Sequence, residues 1–161
     1  MKIAVAVVLS SIIVAGCQQL AGILSEKPPP PGKKLVALPA EVWQEEQCST
    51  RPLPYLRLDA SGIEPKTINS GNTIRYRFSY TACVPPQPGY ILGRFQTAIF
   101  YKDEKLSTRY DDGYPLETGK SIVDTEVKVP KGAEPGTYIL RATLTADDVE
   151  LADSVSFNVV P

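Results

Sequence analysis

A strict alternation of apolar and polar residues between Thr73 and Thr81 constrains the fold of this chain more than any other feature of its sequence. Two sets of side chains alternate there, the apolar Ile74, Tyr76, Phe78 and Tyr80 and the polar Arg75, Arg77, Ser79 and Thr81. A period of two is the mark of a β-strand, whose successive side chains point to opposite faces. The segment is therefore predicted to be a strand with one face in a core and the other towards solvent.

Further strand patterns follow along the chain, separated by turn-forming residues. The strand patterns cover residues 55–59, 92–102, 106–110, 121–129, 138–145 and 154–160, and the turn signals cover residues 69–72, 84–89, 111–113, 130–136 and 147–148. No helical stripe of useful length competes with them. We therefore expect one all-β, antiparallel sandwich of about seven strands over residues 48–161.

The charge balance and the absence of histidine narrow the classes of function. Seventeen basic residues stand against 18 acidic ones, so no basic excess exists to neutralise nucleic-acid phosphates. Without histidine the chain lacks the usual general base, imidazole metal ligand and Ser/His or Cys/His nucleophile systems. We expect a non-enzymatic protein with no cofactor, metal or nucleic acid. Paired carboxylates stay open as a catalytic alternative.

The N-terminus has the pattern of a secretory signal. Lys2 precedes an apolar run over residues 3–14. This run is shorter than the roughly 20 residues that a membrane-spanning helix needs. It therefore fits the hydrophobic region of a cleaved signal peptide.

The run closes on Val14-Ala15-Gly16-Cys17, which resembles the lipobox of bacterial lipoproteins. The resemblance implies removal of residues 1–16 and acyl chains on the thiol and the new amine of Cys17, which together suffice for membrane anchoring. Gln18 stands where an Asp favours the inner membrane in enterobacterial lipoproteins. The implied location is therefore the outer membrane, on its periplasmic face. The alternative is an ordinary signal peptide with a fortuitous cysteine after it.

Two cysteines remain if Cys17 carries lipid. Cys48 and Cys83 then form an even pair in an oxidising compartment, and neither belongs to a CxxC motif. We expect a disulfide between them. Two free buried thiols are the alternative.

A proline-rich stretch separates Cys17 from the strand patterns. Pro28 to Pro31 are consecutive prolines, which adopt an extended polyproline II helix. Residues 17–47 are therefore expected to act as a tether that holds the domain off the membrane, with a proline-directed docking site as the alternative. Residues 37–47, which include Trp43, are compatible with a short helix packed on the domain.

The segment Pro135-Gly136-Thr137-Tyr138-Ile139-Leu140 resembles the start of the sixth strand in immunoglobulin-like and fibronectin-III-like domains. There a tyrosine returns its hydroxyl to the chain upstream, in the tyrosine corner. The resemblance implies an immunoglobulin-like sandwich and this role for Tyr138. It departs from the family at the disulfide, because Cys48 precedes the first strand pattern and the sixth carries no cysteine.

Alternation also predicts a contact site on one sheet. If Phe95 and Tyr138 point into the core, then Phe100, Ile139 and Arg141 share the outer face. An apolar patch beside an arginine has the composition of a protein contact site. We therefore expect these three residues to bind a partner, with the chain acting as an assembly accessory of an envelope complex.

Several other residues have a functional and a structural interpretation. Arg75 and Arg77 would bind a ligand or pair with Asp124 and Glu126 on a neighbouring strand, and the ion pairs are the favoured interpretation. The doublets Asp111-Asp112 and Asp147-Asp148 would ligate calcium or form turns, and turns are favoured.

Two rival functions remain. A cell-wall glycan-binding module would use stacking by Tyr101, Tyr110 and Tyr114. An immunoglobulin-like protease inhibitor would insert the loop at residues 84–89 and the turn at Asp111.

Overall fold

The computed structural model describes residues 32–161. The expected signal peptide (residues 1–16), the lipidation site Cys17 and the proline run lie outside these residues. The elements are β1 (Lys33–Ala37), α1 (Pro39–Glu45), a 3-10 helix (Cys48–Thr50), β2 (Tyr55–Glu64), β3 (Thr67–Asn69), β4 (Thr73–Cys83), β5 (Tyr90–Tyr101), β6 (Glu104–Glu117), β7 (Gly119–Lys128), β8 (Gly136–Ala146) and β9 (Val149–Val160).

The strands form two packed sheets. Sheet A has the order β1-β7-β4-β2, and sheet B has the order β3-β9-β8-β5-β6. All pairs are antiparallel except β3 with β9. The expected all-β sandwich is confirmed, and the neighbours β2-β4-β7 and β9-β8-β5 follow the immunoglobulin-like order. The described residues contain nine strands, against about seven expected.

The core lies between the sheets and begins with the alternation in β4. Its four apolar side chains, Ile74, Tyr76, Phe78 and Tyr80, are each 0% exposed. Tyr138 supports them from sheet B, and its hydroxyl donates a hydrogen bond of 2.8 Å to the carbonyl of Glu134. The tyrosine corner is therefore present.

The outer face of sheet A differs from the expectation at one end. Ser79 and Thr81 were expected beside the exposed arginines, yet both are buried. The helix α1 contacts β4 and β7, with Val42 as its buried residue. A short helix was expected within residues 37–47, and the location of α1 confirms it.

The domain begins earlier than the expected boundary at residue 48. Lys33 pairs with Val123 and Leu35 with Ser121, so β1 forms an edge of sheet A. Residues 33–47 therefore belong to the folded domain and not to the tether. Two lysines after a proline run gave no alternation from which β1 could be predicted.

Cys48 and Cys83 are disulfide-bonded, as expected, with 5.6 Å between their Cα atoms. Both are fully buried. The bond joins the 3-10 helix after α1 to the end of β4. None of the helices within residues 32–161 has the length and apolar character of a membrane span.

Candidate functional site

Phe100, Ile139 and Arg141 meet on the outer face of sheet B, and we call these three residues the Phe100 patch. Phe100 lies directly opposite Ile139 in the register of β5 and β8. The guanidinium carbon of Arg141 lies 5.1 Å from the centre of the Phe100 ring, which is a cation–π contact. Ile139 is 41% exposed. The structure therefore brings together the three residues that alternation placed on this face.

The continuous pairing of β5 with β8 positions the patch. Their register runs without a shift from Arg94 to Phe100, so inward and outward side chains alternate regularly. The irregularities of β5 occur on its other side, against β6. Ala98 follows the outward parity yet is only 3% exposed, because it lies between Thr108 and Arg141 in the neighbouring strands.

Arg141 gives the patch a positive charge. Its Nε donates to the hydroxyl of Ser154 at 3.5 Å, a long hydrogen bond. Within residues 32–161 Arg141 forms no ion pair. The guanidinium is therefore held over an aromatic ring and retains donors for an incoming carboxylate.

The outer face of sheet B also carries a polar cluster that was not predicted from the sequence. Arg94 forms an ion pair with Asp112, and its guanidinium carbon lies 5.6 Å from the ring centre of Tyr110. Residues 111–113 were expected to form a turn, which is wrong, because they belong to β6. Gly113 has φ +72° where the register shifts by one residue. An Asp-Gly pair is typical of such a bulge as well as of a turn.

The arginines of β4 face acidic residues of β7. Arg75 lies opposite Glu126 and Arg77 opposite Asp124 in the register. Arg77 holds Asp124 through two hydrogen bonds of 2.7 and 2.9 Å. These bonds and the charge of Arg77 lower the pKa of Asp124. The ion-pair interpretation is therefore confirmed for Arg77, whose partner is Asp124.

The three tyrosines proposed for glycan stacking do not converge. Tyr101 stacks on Tyr138 with 4.4 Å between ring centres. Tyr114 is buried, with its hydroxyl 3.3 Å from that of Tyr80. Tyr110 alone of the three projects from the outer face, where it is 60% exposed.

The acidic doublets also separate. Asp147-Asp148 forms the two-residue turn between β8 and β9, as expected, with Asp147 at φ +49°. Asp111-Asp112 lies within β6. Among the described residues no group of three or more cysteine, aspartate or glutamate side chains could hold a metal ion.

No protein family matches the sequence, and no curated protein matches it. The alkylpurine DNA glycosylase AlkC of Pseudomonas fluorescens, bound to DNA with an abasic-site analogue, is similar over 65% of this chain and 30% of its own, with 16% identity and a TM-score of 0.48. A β-glucosidase of Erythrobacter marinus is similar over 66% and 16%, with 14% identity and a TM-score of 0.47. The CARDB domain of a Pyrococcus furiosus protein, in complex with di-metal ions, is similar over 69% and 92%, with 15% identity and a TM-score of 0.44. With TM-scores below 0.5, these similarities carry no argument about function.

Proposed function

We propose that this chain is a lipoprotein, anchored by acyl chains on Cys17 to the periplasmic face of the outer membrane. Its domain binds a protein of an envelope complex and does not itself catalyse a reaction. The lipobox resemblance at residues 14–17 supports the anchor. The buried disulfide between Cys48 and Cys83 is consistent with an oxidising compartment.

The Phe100 patch is the observation that carries the binding function. An aromatic ring, an exposed aliphatic side chain and a cation that forms no ion pair with any described residue adjoin one another on a sheet face. Arginine and aromatic residues are enriched where truncation costs most binding energy in protein interfaces. The partner surface that fits them is apolar, with a carboxylate placed to receive the Arg141 guanidinium.

The test is crosslinking of the full-length lipoprotein in native envelopes, followed by identification of the proteins attached to it. The patch variant combines Ile139→Glu, which replaces an apolar side chain with a charged one, with Arg141→Glu, which reverses the charge. The control variant combines Leu92→Glu with Lys128→Glu, which makes the same two kinds of change at exposed positions outside the patch.

We expect a defined set of envelope proteins with the wild type and the control variant, and its loss with the patch variant. The same set with all three proteins would overturn the assignment of the patch. A monomer without crosslinked proteins in every case would overturn the binding function.

The anchor is tested separately with Cys17→Ala. We expect the wild type to sediment with the membranes and its N-terminal peptide to carry the mass of the acyl chains. The variant is expected to lose both properties. Equal membrane association of the two proteins would contradict lipidation at Cys17.

A further inference from the structure

The strand β6 leaves one edge of sheet B open. Within residues 32–161 it is hydrogen-bonded as a strand to β5 alone. Its side chains from Glu104 to Asp112 are exposed on both faces, whereas Tyr114 to Leu116 are buried. Lys33 donates a hydrogen bond of 2.7 Å to the carbonyl of Pro115, which covers the strand at that end. Exposed backbone donors and acceptors on such an edge can pair with another strand.

The regular part of this edge is short and has defined limits. The register of β6 against β5 shifts once at Leu106 and once at Gly113. Between these bulges lie Ser107 to Asp112, with the sequence Ser-Thr-Arg-Tyr-Asp-Asp. We call these six residues the open edge.

Symmetry restricts how the open edge can pair with a second copy of itself. Two identical antiparallel strands in one sheet are related by a two-fold axis perpendicular to that sheet. Side chains directly opposite each other lie on the same face of the sheet, so the two residues are an even number of positions apart in the sequence. The residue midway between them therefore lies opposite its own copy. Each possible register is therefore defined by that central residue.

The charges of β6 select one of these registers. Centring on Arg109, Asp111 or Asp112 places that charged residue directly opposite its own copy, and centring on Ser107 places Lys105 opposite Arg109. Centring on Thr108 places Glu104 opposite Asp112 and carries the pairing across the bulge at Leu106. Centring on Tyr110 places no like charges directly opposite each other and does not carry the pairing across the bulge at Leu106.

In the Tyr110 register, Arg109 of each copy lies opposite Asp111 of the other, so two attractive pairs form. The Tyr110 rings face each other on the outer side, where each is 60% exposed. Thr108 lies opposite Asp112. Pairs of opposite charge and aromatic pairs at these positions stabilise antiparallel strands.

We infer that two copies of this chain associate through their β6 strands, antiparallel and centred on Tyr110. Sheet B of one copy then continues into sheet B of the other. The few residues paired across the two copies bury less surface than a stable interface of standard size. The dimer is therefore weak and forms most readily where copies are concentrated. This inference does not depend on the Phe100 patch or its partner.

Charge reversal tests the register. The dissociation constant of the full-length protein in detergent is measured by sedimentation for Arg109→Asp, Asp111→Arg and the double variant. Each single change turns two attractive pairs into two repulsive ones, so we expect dimerisation to weaken about tenfold or more. The double variant restores opposite charges and is expected to return to within about threefold of the wild type. A wild type that stays monomeric at all concentrations, or a double variant no better than the singles, would overturn the inference.

Cysteine crosslinking in native membranes gives a second readout. Tyr110→Cys places two thiols opposite each other, and mild oxidation is expected to give a covalent dimer. Thr108→Cys is the matched control, since its copies lie four residues apart along the strand and beyond disulfide reach. The unaltered chain controls for any crosslink through Cys17. Equal crosslinking of the two variants would refute the Tyr110 register.

Discussion

The hydroxyl groups of Tyr80 and Tyr114 lie 3.3 Å apart in the core, where they connect β4 of sheet A with β6 of sheet B. Each ring is at most 2% exposed. The two sheets therefore meet through a polar contact within the core. Such a contact makes the pairing of the sheets sensitive to the ionisation of these groups.

Alkaline unfolding is the first prediction. Burial raises the pKa of Tyr80 to about 12, and burial also raises those of Tyr76 and Tyr114 above their ordinary 10.0. Above pH 10 the unfolded chain releases protons that the folded chain retains, so stability falls as the pH rises. Tyrosinate absorbance and circular dichroism should therefore change together as these rings ionise.

Tyr80→Phe isolates one of these groups. The variant is expected to show a shallower fall of the unfolding free energy between pH 10 and 12, since one fewer proton is released. Tyr110→Phe, which removes an exposed hydroxyl, is the matched control variant. An identical slope in Tyr80→Phe and the wild type would contradict the prediction.

Loss of the disulfide should reduce stability strongly. Cys48 and Cys83 close a loop with a sequence separation of 35. The chain-entropy account assigns about 4 kcal/mol to a loop of this size. We expect the variant with both cysteines changed to Ser to unfold at a correspondingly lower urea concentration. Reductant should lower the midpoint of the wild type but leave the variant unaffected.

Removal of the Tyr138 hydroxyl should lower the unfolding free energy by less than loss of the disulfide does. Tyr138→Phe retains the stacked ring but loses the bond to the carbonyl of Glu134, a change of about 1 kcal/mol in the unfolding free energy. Tyr101→Phe is the matched control, because its hydroxyl makes a longer, exposed bond of 3.3 Å to Pro135. Chemical denaturation should rank Tyr138→Phe as the less stable variant.

Two strand glycines should respond in opposite ways to alanine. A Cβ on Gly93 would overlap the backbone carbonyl of Thr145 and lie 3.0 Å from the Leu116 side chain. Gly93→Ala should therefore destabilise the domain by about 1–3 kcal/mol. A Cβ added to Gly62 would have no heavy atom within 4 Å apart from its chain neighbours. Gly62→Ala should therefore leave the unfolding free energy unchanged or raise it by up to about 1 kcal/mol. Thermal unfolding of both variants measures the difference.

The features that the sequence predicted are those that depend on local pattern. The alternation in β4 located the core, and the stretch around Tyr138 located the corner, because a period of two determines which side chains are buried. The Phe100 patch followed from the same parity on β5 and β8. Its assembly required that the two strands be neighbours, which the immunoglobulin-like order supplied.

The features that escaped prediction depend on contacts between distant segments. β1 is recognisable as a strand only through its pairing with β7. Burial of Ser79 and Thr81 depends on other elements, since the Thr81 hydroxyl donates to Asp59 of β2 and α1 contacts β4. Their own pattern does not encode these contacts. Prediction of the ion pair of Arg94 with Asp112 required knowing that residues 111–113 belong to β6, with a bulge at Gly113, whereas Asp-Gly is also typical of turns.

The bond between Cys48 and Cys83 also determines how the domain yields to a mechanical load at its N-terminal end. Tension along the chain would first peel β1 from β7 and then detach α1. Beyond residue 47 the covalent link transmits the force directly to β4, which lies inside sheet A between β7 and β2. Of the described residues ahead of Cys48, 33–47 are the ones that can extend, to a length of about 50 Å when fully stretched. At its N-terminal end an oxidised domain would thus lengthen by a limited amount while sheet B and its outer face remain intact.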